Sequence, residues 1–571
     1  MASTSVRDWL DRRTGYRATL SHLLDEPIQG GPRWAYVFGA LLLITLGNQV
    51  LTGLLLMAFY APSATDAWAS VAYIQDQLKL GWFVRGMHAM GASLMVVGMV
   101  LHMVQVSVYG AYRAPREVNW WTGILLSLLV LGFALTGYLL PWDQKGYWAT
   151  QVATTLLGAT PVVGEALQTL IQGGATYGNL TLTHFYSLHV FVLPSLLITL
   201  VLVHVALFRR HGVTTRWGRS AAELAAQTEA FWPRQAVYDM TAGALGLIVI
   251  AGIVIGAHGV DLSAPADPTS RYDARPEWYF LALYQMLKYF PGAWEIVAAM
   301  GAPLLFIGAL ALMPWLDRAP DGVTSPGKRV LPLLVFAVCL LTVAGLGGVA
   351  AYEDAHNPRF VEHEHASKEE AVRARKLALE GVPVAGGVAV YLNDPLEQGH
   401  LLYTEHCSQC HRLGRQGPPE AEQKGPNLTG LWSRQWLTEF MRNPDSPRYY
   451  GRTKLKEGMK PVELPEAEMA DLVEYVYSLR GAAPDLDAAR VKRGALLFED
   501  KNCDLCHERD NKTSGQGPNL AGHASPAWAR RLLENPGAPL YYGEKNDMPS
   551  FGKKLTAVEL DRLATYLTSL K

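Results

Sequence analysis

Between Trp82 and Tyr109 the chain reads WFVRGMHAMGASLMVVGMVLHMVQVSVY, an apolar run long enough to cross the roughly 30 Å hydrocarbon core of a bilayer. It carries one formal charge, Arg85, and two histidines, His88 and His102. On a helix that interval returns to within about 60° of the same face, about 21 Å further along the axis. A second apolar run, 184–208, holds His189 and His204. A lone histidine in such a run is ordinarily a packing residue with a satisfied ring, because polar groups are costly in lipid. Two on each of two helices, in matched register, form opposed pairs at two depths. That arrangement suits two planar metal macrocycles, one near each membrane surface.

Glycines repeat the interval. Gly39 and Gly53 lie on the run 35–60, and Gly123 and Gly137 on the run 119–140. Glycine lets a backbone approach a flat ring closely. Helix–helix packing explains any one of these glycines, but not the shared spacing.

Further runs at 237–257, 296–315 and 330–351 bring the expected spans to seven. The connections alternate in charge. The Arg-rich N-terminus, Arg113 with Arg116, Arg209 with Arg210 and Arg216, and Arg318 with Lys328 and Arg329 share one side, whereas Lys79 and Lys145 fall on the other. The positive-inside rule makes the N-terminus cytoplasmic. Residues 1–34 lack a compact apolar stretch before a small-residue cleavage site, so they do not read as a signal peptide. Val6 to Leu24 reads as an amphipathic helix lying on the membrane surface, with a soluble cap as the alternative. The net charge of −1 gives no argument for nucleic acid or an acidic partner.

Seven crossings put everything after residue 351 on the opposite side. This tail opens with a polar linker, 352–386, unable to bury a core of its own, and then repeats itself. Cys407-Ser-Gln-Cys410-His411 is followed by Gly425-Pro-Asn-Leu428, Trp436, Asn443-Pro444, Tyr449-Tyr450-Gly451 and Met459. Cys503-Asp-Leu-Cys506-His507 is followed in the same order by Gly517-Pro-Asn-Leu520, Trp528, Asn535-Pro536, Tyr541-Tyr542-Gly543 and Met548. The tail is a tandem duplication of one small domain.

Each Cys-x-x-Cys-His supplies two thiols for haem vinyl groups and a histidine for the iron. A zinc site would need four ligands, and each motif offers three. Met459 and Met548 are the candidate sixth ligands, since a thioether raises the potential of an electron carrier; Met441 and Met469 fall in helix-like stretches and read as core residues. Four of the five cysteines are thereby committed, leaving Cys339 in an apolar run. The expected fold is all-α, a seven-span bundle followed by two small helical cytochrome c domains. Its expected divisions are 1–34 (cytoplasmic segment), 35–218 (di-haem core), 219–351 (three-helix part), 352–386 (linker), 387–482 and 483–571 (c domains).

The bundle resembles cytochrome b of the quinol-oxidising bc and bf complexes, and is most similar to the bf branch with its two subunits fused. Thr136-Gly-Tyr-Leu-Leu-Pro-Trp-Asp-Gln-Lys-Gly-Tyr-Trp148, His184-Phe-Tyr-Ser-Leu-His189-Val-Phe-Val-Leu-Pro194 and Pro276-Glu-Trp-Tyr-Phe280 carry the likeness, which covers residues 1 to about 351. The tail resembles paired class I cytochromes c. The resemblance implies that His88 with His189 holds one haem b near the periplasmic surface, and His102 with His204 a second near the cytoplasmic one. It implies a quinol pocket lined by Pro276, Trp278, Tyr279, Phe280 and Trp142, with Glu277 as proton acceptor and Tyr147 beside it. Arg85 and Arg113 are candidates for the haem propionates, with membrane-surface anchoring an equal reading. In the bf branch a first-span cysteine holds an extra haem; Val37 stands at that position and cannot form the thioether.

With its cysteines committed to two haems c, the chain cannot supply a Rieske [2Fe–2S] cluster, whose ligands are two Cys and two His. The resemblance therefore implies a separate Rieske partner. It also implies bifurcated, Q-cycle-type oxidation of quinol coupled to proton translocation and a homodimer in the bacterial inner membrane. The c domains would be periplasmic and pass electrons to a soluble cytochrome c, a copper protein or a terminal oxidase.

Overall fold

The computed structural model describes residues 5–270, 272–318, 325–481, 483 and 485–570; residues 1–4 of the N-terminal segment and residue 571 of the second c domain lie outside them. Helix accounts for 65% of the chain and strand for 1%, so the fold is all-α. The chain divides after Val390 into two compact units.

Among the described residues, seven helices of the first unit are long and apolar enough to cross a membrane: α1 (Phe38–Met57), α2 (Gly81–Tyr109), α3 (Glu117–Leu139), α4 (Asn179–His211), α5 (Arg234–Ala257), α6 (Val297–Leu316) and α7 (Val330–Ala355). Large apolar side chains such as Leu51, Leu202 and Leu305 stand on their exposed faces, as a lipid-facing surface requires. The chain is an integral membrane protein. Polar side chains tie the helices together from within: Gln49 Nε2 donates to the His88 carbonyl across α1 and α2 (3.0 Å), and Trp120 Nε1 of α3 donates to the Leu310 carbonyl of α6 (2.8 Å). The buried Arg329, just before α7, donates to the carbonyls of Ser107 and Val108. A cation there complements the negative end of the α2 dipole.

Two details differ from the sequence expectation. The N-terminal amphipathic segment is two helices, Val6–Thr14 and Tyr16–Leu24, separated at Gly15, whose φ of +63° ends the first. The polar stretch after α7 makes no core of its own. It forms a helix, Pro358–Ala378, that buries Ala374, Leu377 and Ala378 and packs on the helix Ala67–Asp76, with Arg375 paired to Asp76.

The second unit contains α8 (Pro395–His406), α9 (Arg434–Arg442), α10 (Glu466–Ser478), α11 (Ala488–Asp500), α12 (Pro526–Glu534) and α13 (Ala557–Ser569). The duplication is visible bond by bond. Ser433 and Ser525 cap α9 and α12 by accepting from the amides of Trp436 and Trp528. Those two indoles donate to the Asn427 and Asn519 carbonyls at 3.1 and 2.9 Å. Yet the repeats share one hydrophobic core, and their helices pair crosswise: α8 of the first lies along α13 of the second, and α11 of the second along α10 of the first.

Candidate functional site

The helices α1 to α4 bring the four membrane histidines together in two pairs. The rings of His88 and His189 are 6.2 Å apart, with planes at 71°, and those of His102 and His204 are 6.5 Å apart at 73°. A metal–nitrogen bond is about 2 Å long and the ring centre lies roughly 1.1 Å beyond Nε2, so two imidazoles on opposite sides of one metal have centres about 6.3 Å apart. Both pairs fit one iron atom between them.

His189 and His204 are separated by one residue more than His88 and His102. Helix α4 absorbs the extra residue in a single π-helical turn, Leu188–Val192, which contains His189. Such π-turns are rare and occur often at functional sites.

Each predicted glycine lies against one imidazole. A Cβ on Gly137 would be 2.6 Å from His189 Cε1, on Gly53 3.2 Å from His88 Cε1, on Gly123 3.4 Å from His204 Cε1 and on Gly39 3.6 Å from His102 Cε1. Within the protein, the neighbours of these four glycines are the imidazoles themselves.

Sequence reasoning missed the residue before each glycine. Thr52 Oγ1 lies 2.9 Å from His88 Nδ1, Thr122 Oγ1 2.9 Å from His204 Nδ1 and Thr136 Oγ1 3.1 Å from His189 Nδ1. Each hydroxyl gives its own proton to a backbone carbonyl, of Asn48, Asn119 and Gly132 respectively. Each oxygen is left to accept from Nδ1–H, which leaves Nε2 with its lone pair free for iron. The signal was legible as a Thr-Gly dipeptide recurring at 52, 122 and 136. Phe38 breaks it before Gly39. Among the described residues, Nδ1 of His102 is buried with no hydrogen-bond partner; the polar side chain bearing on that ring is Gln105, whose Oε1 is likewise buried and unpaired.

The tail repeats this local design. His411 Nδ1 donates to the Pro426 carbonyl (2.8 Å) and His507 Nδ1 to the Pro518 carbonyl (2.9 Å), again leaving Nε2 free. A Cβ on Gly425 or Gly517 would come within 2.5 or 2.6 Å of Cε1 of those rings. The pairs Cys407/Cys410 and Cys503/Cys506 are free thiols, available for thioether bonds. Met459 and Met548 line the common core, and Met441 and Met469 are buried within it as expected of packing residues.

At the level of His88 and His189 two distant segments meet. Trp142 and Tyr147 are 7% and 5% exposed, with rings 5.5 Å apart. The loop that carries them is zipped to 263–266: Gln144 N donates to the Ala264 carbonyl, Ala266 N to the Trp142 carbonyl and Ser263 N to Asp143. Burial holds the Asp143 carboxyl above its ordinary range, opposed by the amides of Gly146 and Ser263 and by the Arg85 charge. Lys145 Nζ then bonds Glu277 Oε1 at 3.0 Å, joining this loop to Pro276–Phe280. Burial disfavours the Lys145 cation, but the Glu277 carboxylate outweighs it and holds the amine above its ordinary range. Trp278 Nε1 reaches Ser93 Oγ on α2 (3.3 Å), and Tyr279 stacks edge-on against Phe280.

Both candidate arginines also make contacts within the protein. Arg85 donates to Gln75 Oε1 and to the carbonyls of Val260 and Asp261 (2.7–2.9 Å), and Arg113 lies 3.5 Å from Asp317.

Comparison with known proteins matches the geometry. Residues 24–212 fit the family model "Cytochrome b/b6/petB" and residues 265–361 "Cytochrome b(C-terminal)/b6/petD". Cytochrome b of Cereibacter sphaeroides is 34% identical over 343 residues, which is 56% of this chain and 77% of that protein. The chain belongs to the cytochrome b family. Cytochrome b6 of Gloeobacter violaceus is 38% identical over 211 residues, 37% of this chain and 98% of that protein. A solved hyperthermophilic respiratory Complex III chain superposes with a TM-score of 0.53 at 25% identity, over 67% of this chain and 99% of that one. In the tail, residues 396–480 fit "Cytochrome c" and 489–567 fit "Cytochrome C oxidase, cbb3-type, subunit III". This cytochrome b is therefore of the bc/b6f type, with cytochrome c domains fused behind it. Those domains make it a redox subunit that holds haem b and haem c.

Proposed function

We propose that the chain is the core haem subunit of a quinol oxidoreductase, holding two haems b and two haems c, and that it oxidises quinol between Trp142–Trp148 and Pro276–Phe280. His88 with His189 and His102 with His204 are assigned to the b haems, and His411 and His507 with the two methionines to the c haems. The haems, when bound, supply one-electron carriers between the quinol site, the opposite membrane face and the tail.

The observation that carries the reading is the Lys145–Glu277 pair. It anchors the carboxylate beside Tyr279 and ties it to the loop that carries Trp142 and Tyr147. An ionised carboxylate can take a proton from a quinol hydroxyl, and a base is required because quinol cannot surrender two electrons in a water-poor pocket while keeping its protons. The loop around Tyr147 binds and orients the ring; Trp278 and Phe280 limit water. Lys145 holds Glu277 in place until the transfer; once the carboxyl is protonated the ion pair is lost and the side chain is freed to carry the proton outward.

Bifurcated oxidation sends one electron outward, through a separate Rieske protein, to the tail, and the other to a quinone at the cytoplasmic face. Proton release outside and uptake inside follow from that separation. Cys339 alone, on α7, is left uncommitted, which supports a Rieske cluster on another chain. The charge alternation along the seven spans supports a cytoplasmic N-terminus and a periplasmic tail in a bacterial inner membrane. A homodimer and a soluble cytochrome c, copper protein or terminal oxidase as acceptor complete the proposal.

The test is quinol-dependent turnover of the purified complex with Glu277→Gln. Turnover falling about a hundredfold or more, with all haem spectra intact, supports the role; unchanged turnover reduces the chain to an electron relay.

A further inference from the structure

The crosswise pairing of helices in the tail bears on which methionine serves which histidine. Helix α8 runs directly into the first haem-binding pentapeptide, since Cys407 is its C-terminal cap and donates its amide to Tyr403. The pentapeptide is thus fixed to α8. That helix lies so close to α13 that a Cβ on Gly399 would be 2.3 Å from Tyr566 Cβ and 2.5 Å from the Arg562 carbonyl oxygen. The same contact recurs in mirror fashion. A Cβ on Gly494 of α11 would be 2.0 Å from the Asp471 carbonyl of α10 and 2.7 Å from Tyr475 Cβ, and Arg493 pairs with Asp471.

Each methionine lies between a helix to which its segment is bonded and the next helix, which pairs crosswise. Phe551, three residues after Met548, is buried and donates its amide to the Leu533 carbonyl at the end of α12. Its ring lies 6.3 Å from that of His406, the residue before Cys407. Val462, three residues after Met459, makes the equivalent bond to the Met441 carbonyl at the end of α9. On that side Arg509, two residues past His507, donates to the Tyr475 hydroxyl of α10 at 2.5 Å. The two segments leading to the methionines run side by side: Tyr450 and Tyr542 share a hydroxyl–hydroxyl hydrogen bond of 2.8 Å, and Lys454 pairs with Asp547 at 2.6 Å. Exchange of partners between the repeats needs no long detour.

We propose that each c-type haem is held across the two repeats, with His411 and Met548 on one iron and His507 and Met459 on the other. This rests on the reading of the pentapeptides as covalent haem sites, and the pairing can fail while that reading stands. It follows that neither repeat forms a complete site alone.

The experiment uses the full chain with both haems. Cys410→Ala leaves one vinyl group of the first haem unreacted, which extends its conjugation, shifts its visible band to longer wavelength and marks it. Met548→Leu or Met459→Leu is then added, and carbon monoxide is given to the reduced protein, where it binds a haem that has lost its methionine. Crossed ligation requires Met548→Leu to open the marked haem to carbon monoxide and Met459→Leu to open the unmarked one. The reverse assignment overturns the proposal. Cys506→Ala, which marks the second haem instead, gives the reciprocal test where Cys410→Ala impairs assembly. Absence of covalent haem from both sites would defeat the functional reading itself, a result separate from either assignment.

Discussion

Thr52 Oγ1 stands 2.9 Å from Nδ1 of His88, with its own proton already given to the Asn48 carbonyl. The hydroxyl can only accept from the ring, so Thr52 fixes the tautomer of His88 and would raise its electron donation to an iron bound at Nε2.

Removing that bond weakens the donation and favours the reduced iron. Thr52→Val is expected to shift the reduction equilibrium of the His88/His189 haem about tenfold toward the ferrous state, about 59 mV upward for one electron. Thr52→Ser is expected to restore it. Potentiometric titration of the b-type absorption reads the shift; a potential unmoved by valine would remove Thr52 from the role.

His102 is the complementary case. Its Nδ1 has no hydrogen-bond partner among the described residues, because Phe38 stands where a threonine precedes the other three glycines. Phe38→Thr is expected to lower the potential of the His102/His204 haem and leave the other unchanged. The same titration decides.

The glycine contacts predict a graded series. A Cβ on Gly137 would press within 2.6 Å of His189 Cε1, whereas one on Gly39 would meet His102 Cε1 at an ordinary 3.6 Å. Gly137→Ala is expected to cost about tenfold or more in retention of one haem b, the scale set by disturbing a ligand's support, while Gly39→Ala retains both. Haem content per chain after purification measures this.

In the tail, hydrogen bonds from Arg434 hold the Glu474 carboxyl below its ordinary range. A carboxyl depressed in the folded state contributes stability above its unfolded range and loses it as pH falls through the folded one. The pair is partly exposed, with Arg434 36% accessible. Glu474→Gln is therefore expected to cost only about 1–2 kcal/mol near neutral pH and to flatten the loss of stability in acid. Denaturant unfolding of the tail at several pH values follows both effects.

How much of this was legible beforehand depends on the range of the interaction. The seven spans follow from apolar length, and the histidine pairs from helical periodicity, both local properties of the sequence. The π-turn at His189 left a trace only as one residue too many between two histidines, and the threonines only as a repeated dipeptide. The Lys145–Glu277 bond joins residues far apart in sequence, so no local pattern announces it. The duplication was plain in the tail, but a repeat specifies the same surfaces twice. Gly399 fits Tyr566 and Gly494 fits Tyr475, and sequence cannot say which helix meets which copy. Arg85, read as a candidate for a propionate, also donates to the carbonyls of Val260 and Asp261, contacts set by a loop remote in the chain.

The central claim is bifurcated oxidation of quinol by this chain and its Rieske partner. It is tested most directly by mixing the fully oxidised complex with quinol and recording the b and c haem bands together on the millisecond scale. The account predicts that b and c haems become reduced with one shared time course, and that Glu277→Gln slows both equally. Reduction of either type alone, or c haems that stay oxidised in the presence of quinol, would contradict it.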